Sequence, residues 1–290
     1  MTKLINNISE IINLYDIFIL DQWGVMHNGT KAYPYAIDCI NYLKENNKKL
    51  VIISNSSKRK KSTIKKLPRL GFDPKYFDEV FTSGEMIWKT LAMQLKKYGK
   101  NLNKCFHIFD KSKEDGLNFR EGLSNIEFVN KIEDAEFILA CTPFKNSEPI
   151  DYLPILNYAY ESKMIIFCAN PDYETVEQGK NKNIFCMGTI ANLYERMGGK
   201  VVIQGKPSIE IYKKSMSKFK NFNKSKVLAV GDSLFHDIQG AKKYGVDSVL
   251  ITSGIHSNFF SIKNPNWKNK KNKLLKYNIE PTFLCKKFII

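Results

Sequence analysis

Four short stretches carry residues that could do chemistry together: Asp21-Gln-Trp23-Gly, Ser54-Asn55-Ser56, Gly205-Lys206-Pro207 and Gly231-Asp232-Ser-Leu-Phe-His236-Asp237. They supply a carboxylate, a hydroxyl, an ammonium and further carboxylates. That set suits phosphoryl transfer, which needs a nucleophile, donors for the phosphate oxygens, and acids to hold a cation that offsets the remaining charge. Magnesium suits such a site, because it prefers oxygen ligands and keeps several waters, so few carboxylates suffice. Taken singly, each residue has a plainer use. An Asp after a strand forms turns, Ser54 and Asn55 can cap a following helix, and Lys206 before Pro207 can lie on the surface. Their order along the chain, each behind an apolar strand, is what points to one shared site.

The elements that must position them are legible as hydrophobic runs. Tyr15-Asp-Ile-Phe-Ile-Leu20 reads as a short buried strand ahead of the loop Asp21 to Gly29. Pro34 opens a helix in which Ala36, Ile37, Ile40 and Leu43 recur at helical spacing, and Leu50-Val-Ile-Ile53 follows as a second strand. Strand, helix, strand is the unit of a parallel sheet, and ligands of such sheets bind beyond the carboxyl ends of the strands. A lysine-rich helix is predicted to run to about Leu70, with Gly71 as its carboxyl-terminal cap. From about Phe81 to Gly199 the pattern restarts, with strands predicted at Cys105 to Phe109, Phe137 to Cys141 and Met164 to Cys168. Val227 to Val230 and Ser248 to Ile251 read as core strands around a helix from Asp237 to Gly245, and Thr282 to Cys285 as a last strand. The predicted fold is α/β: a Rossmann-like core with a parallel sheet built from residues 1–78 and 200–290, and an inserted α/β unit over 79–199.

These motifs resemble the haloacid dehalogenase superfamily of aspartyl-phosphate hydrolases, and in particular its subclass IIA, the NagD-like and 4-nitrophenylphosphatase-like enzymes with an α/β cap inserted after the second motif. Phe18-Ile-Leu-Asp21-Gln-Trp23-Gly-Val25 with Gly29 looks like the first motif, and Ile52-Ile-Ser54-Asn55-Ser-Ser the second. Gln204-Gly-Lys206-Pro207 is similar to the third, and Gly231-Asp232 through Asp237-Ile-Gln-Gly-Ala241 to the fourth. Thr82-Ser-Gly84 and Ala169-Asn170-Pro171-Asp172 look like that subclass within the insert. The resemblance implies a magnesium-dependent phosphatase in which Asp21 is the nucleophile, and Ser54, Asn55 and Lys206 bind the phosphate. Asp21, Asp232 and the backbone carbonyl of Trp23 would ligate magnesium, and Asp237 would act from behind the metal or orient Lys206. The insert would be a cap that excludes water and reads the leaving group, with Asn170 and Asp172 as its candidate substrate contacts.

Trp23 departs from the family pattern, which has a second Asp two residues after the nucleophile as general acid and base. Indole donates one hydrogen bond and does not titrate usefully, so it cannot protonate a leaving oxygen. That loss is worth about 10² to 10⁴ in rate. It is tolerable if the leaving group is already good, or if another residue substitutes; His27 and His236 are the titrating side chains at hand. The alternatives are a phosphometabolite-binding module with little turnover, which Trp23 favours, and a phosphotransferase sharing the aspartyl-phosphate step.

Bulk properties bound the remaining classes. The 290 residues suggest two structural units, and 43% hydrophobic with 26% charged residues is ordinary globular composition. No stretch approaches the roughly 18 uninterrupted apolar residues of a membrane span, and the first residues lack a secretory pattern, so a cytoplasmic location is the expectation. The formal charge of +16 is spread along the chain with many asparagines, as in 181–183 and 263–273, and no recognition motif accompanies it. A small phosphorylated substrate, no specific nucleic acid and no membrane are therefore the expected partners, with homo-oligomerisation left open. The six cysteines, without Cys-x-x-Cys or zinc spacing, are expected to be reduced core residues.

Overall fold

The computed structural model describes residues 2–99, 102–112, 114–175, 184–257, 259–260 and 279–290, so the lysine- and asparagine-rich stretches 181–183 and 263–273 lie outside the described residues. In chain order, β1 (Lys3–Leu4), β2 (Ile17–Leu20), α1 (Pro34–Glu45), β3 (Lys49–Ser54), α2 (Lys60–Lys66) and β4 (Glu79–Thr82) come first. Then follow α3 (Ser83–Met93), β5 (Lys104–Ile108), α4 (Asp115–Arg120), β6 (Glu127–Val129), β7 (Phe137–Ala140), α5 (Leu153–Glu161) and β8 (Ile165–Cys168). The short hairpin β9 (Glu174–Thr175) and β10 (Ile184–Phe185) leads to α6 (Met187–Arg196) and β11 (Lys200–Ile203). The chain closes through α7 (Ile209–Met216), β12 (Val227–Gly231), α8 (Gln239–Tyr244), β13 (Asp247–Ile251) and β14 (Phe283–Cys285).

Two parallel sheets result. The larger has seven strands in the order β1-β14-β13-β12-β2-β3-β4, and the smaller five in the order β11-β8-β7-β5-β6. Central strands such as Ile17-Phe-Ile-Leu20 are buried throughout because helices cover both faces of the sheet, which is why they read as unbroken apolar runs. Phe18, Leu20, Leu50, Ile52, Leu228 and Val230 point to one face and pack on Ala36, Cys39, Ile40 and Leu43 of α1. Their alternates Ile17, Ile19, Val51, Ile53, Val227 and Ala229 point to the other and meet Ile211 and Tyr212 of α7 and Tyr244 of α8. The smaller sheet is sandwiched in the same way, by α3 and α4 on one face and α5 and α6 on the other.

Strand pairing divides the chain a few residues away from the expected boundaries at 79 and 199. Glu79–Thr82 pairs with β3 in the larger sheet, whereas Lys200–Ile203 pairs with β8 in the smaller one. The segment from α3 to β11 is thus the insert. Gly205 and Lys206 therefore follow a strand of the insert's sheet, not a core strand as the sequence pattern suggests. The lysine-rich helix ends at Lys66, earlier than predicted, because Pro68 cannot continue it. All six cysteines are buried and free, and no helix among the described residues is long and apolar enough to cross a membrane.

Candidate active site

The site forms where β2, β3 and β12 end side by side. Asp21 follows β2 and donates its N–H to the Val230 carbonyl at 2.9 Å, which anchors it beside β12. Asp232 follows β12, and Ser54 is the last residue of β3. The loop after Asp21 can close over Asp232 because Gly24 has a φ of +76° and no side chain; any Cβ there would overlap the Asp232 carboxylate. Lys206 comes in from the insert's edge strand and is seized by Asn55, whose Oδ1 accepts the Lys206 N–H at 2.7 Å while its Nδ2 donates to the Lys206 carbonyl at 3.1 Å. After Asp232 the backbone makes a π-helical turn, Leu234–Ile238, in which the Ser233 carbonyl accepts the N–H groups of both Asp237 and Ile238. Such turns gather at functional sites because they re-aim side chains. Here the turn directs Asp237 toward Lys206 and His236 toward the insert.

Lys206 Nζ lies 2.6 Å from Asp21 Oδ1 and 2.7 Å from Asp237 Oδ1, all three groups being buried. Burial alone would favour neutral Lys206, but Asp21 and Asp237 outweigh it and hold the ammonium well above its ordinary value. Burial pushes Asp21 up to about 7 against the pull of Lys206, with Asp237 adding repulsion. Asp232 is raised well above the usual carboxylate range by burial and then by Asp21 and Asp237. Oxygens of Asp21, Asp232 and Asp237 lie within 4.8 Å of one another, yet among the described residues only the Lys206 ammonium pairs with them. Asp237 has both oxygens engaged, Oδ1 by Lys206 and Oδ2 by the Ser233 N–H at 3.1 Å. Asp21 Oδ2 and Asp232 Oδ1, in contrast, accept no hydrogen bond from the described residues. Two unpartnered carboxylate oxygens in a buried, negatively overloaded cluster fit a hard divalent cation.

These groups line a cleft of about 250 Å³ together with Trp23, Tyr33, Asp172, Tyr173, Phe235, His236 and His256. Two expected contacts do not reach it. Asn55, read as a phosphate ligand, spends its amide on the Lys206 backbone and on Asp172 Oδ1, 2.8 Å from its Nδ2. Asn170, read as a substrate contact, folds back so that its Oδ1 accepts the Asp172 N–H at 3.3 Å, an Asx turn that presents Asp172 instead. Of the two histidines, His27 accepts the Gly29 N–H on Nδ1 at 2.9 Å and packs its ring on Trp23. Burial and then Lys66 and Lys58 push it down to about 3, so it is neutral and committed to the loop. His236 lines the cleft, with Nδ1 3.2 Å from Asp172 Oδ1. Sequence reasoning missed Tyr33, Tyr173 and His256, for which no motif gave a signal, and Phe235, which the fourth motif spans without marking it, and it missed the Ile255 N–H that donates to Asp232 Oδ2 at 2.8 Å.

A family model described as haloacid dehalogenase-like hydrolase matches residues 18–115, and one described as HAD-hydrolase-like matches residues 203–288. A 4-nitrophenylphosphatase of Schizosaccharomyces pombe is 25% identical over 269 residues, covering 85% of this chain and 86% of that protein. The 5'-nucleotidase YutF of Bacillus subtilis is 25% identical over 252 residues, covering 83% and 88%. Among solved structures, a haloacid dehalogenase-like hydrolase from Brucella suis shares the fold with a TM-score of 0.81 at 24% identity, covering 99% of this chain and 100% of that one.

Proposed function

The chain belongs to the haloacid dehalogenase-like hydrolases, and from that membership we propose that it is a magnesium-dependent phosphatase acting on a small phosphorylated metabolite through an aspartyl-phosphate. The observation that carries the reading is Lys206 Nζ bridging Asp21 and Asp237 on the floor of a cleft that also holds Ser54 and Asp232. In this reading Asp21 attacks phosphorus, and Ser54 and Lys206 take the phosphate oxygens. Asp237 keeps the ammonium aimed at the reacting centre. Asp21, Asp232 and the Trp23 carbonyl would hold the magnesium, which supplies charge neutralisation for the phosphate and the acids around it. Asp172 and Tyr173 line the cleft from the insert. The lining also includes the rings of Trp23, Tyr33, Tyr173 and Phe235, which supports a substrate that carries a planar ring beyond its phosphate. The two relatives named above carry such substrates in their names.

A phosphate-release screen with and without magnesium, over aryl phosphates, acyl phosphates, nucleotides and sugar phosphates, tests the proposal. Magnesium-dependent release is expected, falling about 10³-fold or more in Asp21→Asn. Trp23, which cannot serve as a proton donor, favours a second reading, a module that binds a phosphometabolite without turning it over. No release above the Asp21→Asn background, alongside saturable ligand binding, would establish that module instead.

A further inference from the structure

If Asp21 attacks a phosphate ester, as proposed above, the departing oxygen needs a proton unless it is a good leaving group, and neither Trp23 nor Lys206 is placed to give one. Trp23 does not titrate usefully, and Lys206 is tied to Asp21 and Asp237 by short bonds. His256 is committed as well, since its Nε2 accepts the Leu234 N–H at 3.1 Å and burial lowers its basicity. His236 is arranged differently. Its Nδ1 meets Asp172 Oδ1 at 3.2 Å and Ser233 Oγ at 3.1 Å, and its Nε2 makes no hydrogen bond with the described residues. Its backbone is fixed too, because the π-helical turn carries it and Ser233 Oγ accepts its N–H at 3.3 Å. Tyr173 packs beside the ring at 5.6 Å between centroids. A carboxylate on one ring nitrogen that orients the imidazole and leaves the other nitrogen for the substrate is the arrangement by which histidine acts as a general acid and base.

We propose that His236 is the proton donor to the leaving oxygen and that Asp172, reaching over from the insert, is its positioning residue. In the first half-reaction Asp21 forms a bond to phosphorus, and the bond from phosphorus to the leaving oxygen breaks with its electron pair. That oxygen takes the proton from His236 Nε2. In the second, a water oxygen attacks the phosphorus of the aspartyl-phosphate and gives its proton to Nε2, while the bond to Asp21 breaks and inorganic phosphate departs. His236 ends protonated and Asp21 ends as the carboxylate, as both began. Asp172 Oδ1 also accepts from Asn55 Nδ2 at 2.8 Å, and Asn55 in turn holds the Lys206 peptide. The donor and the phosphate-binding lysine are thereby registered to each other through one carboxylate of the insert, so the acid is complete only with the insert seated on the core.

The test is the leaving-group dependence of the first turnover, read as release of the alcohol or phenol from 4-nitrophenyl, phenyl and benzyl phosphate by the full-length protein. In His236→Gln the rate is expected to fall about 10² to 10⁴-fold for benzyl phosphate and far less for 4-nitrophenyl phosphate, so that the rate depends more steeply on leaving-group basicity. Asp172→Asn should steepen it in the same sense by a smaller amount. Circular dichroism and thermal unfolding of each variant, compared with the parent, serve as the folding control. A parallel drop for all three esters in both variants overturns the assignment of His236 while leaving the phosphatase reading intact. Absence of any Asp21-dependent turnover overturns both.

Discussion

At the scale of single residues, the site is defined by an excess of buried negative charge. Asp21 is held up at about 7 by burial, above the roughly 4 of an unfolded aspartate, so its contribution to stability is present below that lower value and is lost as pH rises through 7. Asp232 is raised in the same direction. A divalent cation bound to the two free oxygens would relieve that loss, so magnesium should stabilise the protein more at pH 8 than at pH 6. Thermal unfolding at both pH values, with and without the ion, measures it, and Asp232→Asn should shrink the difference. An equal magnesium shift at both pH values would mean that the ion binds elsewhere. Asp21, Ser54, Lys206, Asp232 and Asp237 were legible in the sequence because each lies beside an apolar strand or within one short motif. Asn55, expected to bind phosphate, is bonded instead to the Lys206 peptide and Asp172, because its amide suits a backbone as well as a phosphate and only the fold brings those groups within its reach.

At the scale of elements, the strands were legible and the joints between them were not. Ile17–Leu20, Leu50 to Ile53 and Val227–Gly231 announce themselves as continuous apolar runs, since strands buried on both faces need no polar alternation. A π-helical turn leaves no such trace, because one additional residue in a helical turn does not alter the surrounding composition. The sheet to which Lys200–Ile203 belongs was equally hidden, since an apolar run does not name its partner. One such joint is open to test at Gly188, the second residue of α6. A Cβ there would come within 2.5 Å of the Asp172 carbonyl oxygen and collide with that of Pro171, so the 170–172 loop must shift to admit it. Gly188→Ala should cost about 1–3 kcal/mol of stability in urea unfolding. It should also reproduce the kinetic defect of Asp172→Asn by drawing Asp172 away from Asn55 and His236. Gly188→Ala with parental leaving-group dependence would show that the loop position does not matter.

At the scale of the whole molecule, each half carries a buried neutral histidine that resists acid. Burial, and then Arg120, pushes His107 of the smaller sheet down to about 3, while its Nδ1 accepts the Arg120 Nε–H at 3.1 Å. His27 in the core is pushed equally low. Unfolded histidine titrates near 6.5, so between that value and 3 the unfolded chain binds more protons than the folded one. The stability these residues confer is therefore complete above about 6.5 and drains as pH falls toward 3, by up to about 1.4 kcal/mol per pH unit for each. Urea midpoints from pH 7 to 5 should show His107→Gln with a shallower decline than the parent; identical slopes would place the titration elsewhere. The pairing of β2 with β12 has a consequence for biosynthesis. A ribosome delivers Asp21 early, but the strand that carries Asp232 emerges only after the whole insert has been made. The insert's sheet, whose strands all lie within one continuous stretch of the chain, can form while the nascent chain is still growing, whereas Asp21 waits for a neighbour not yet translated. Until then the emerging chain can carry a folded insert beside an unfinished site.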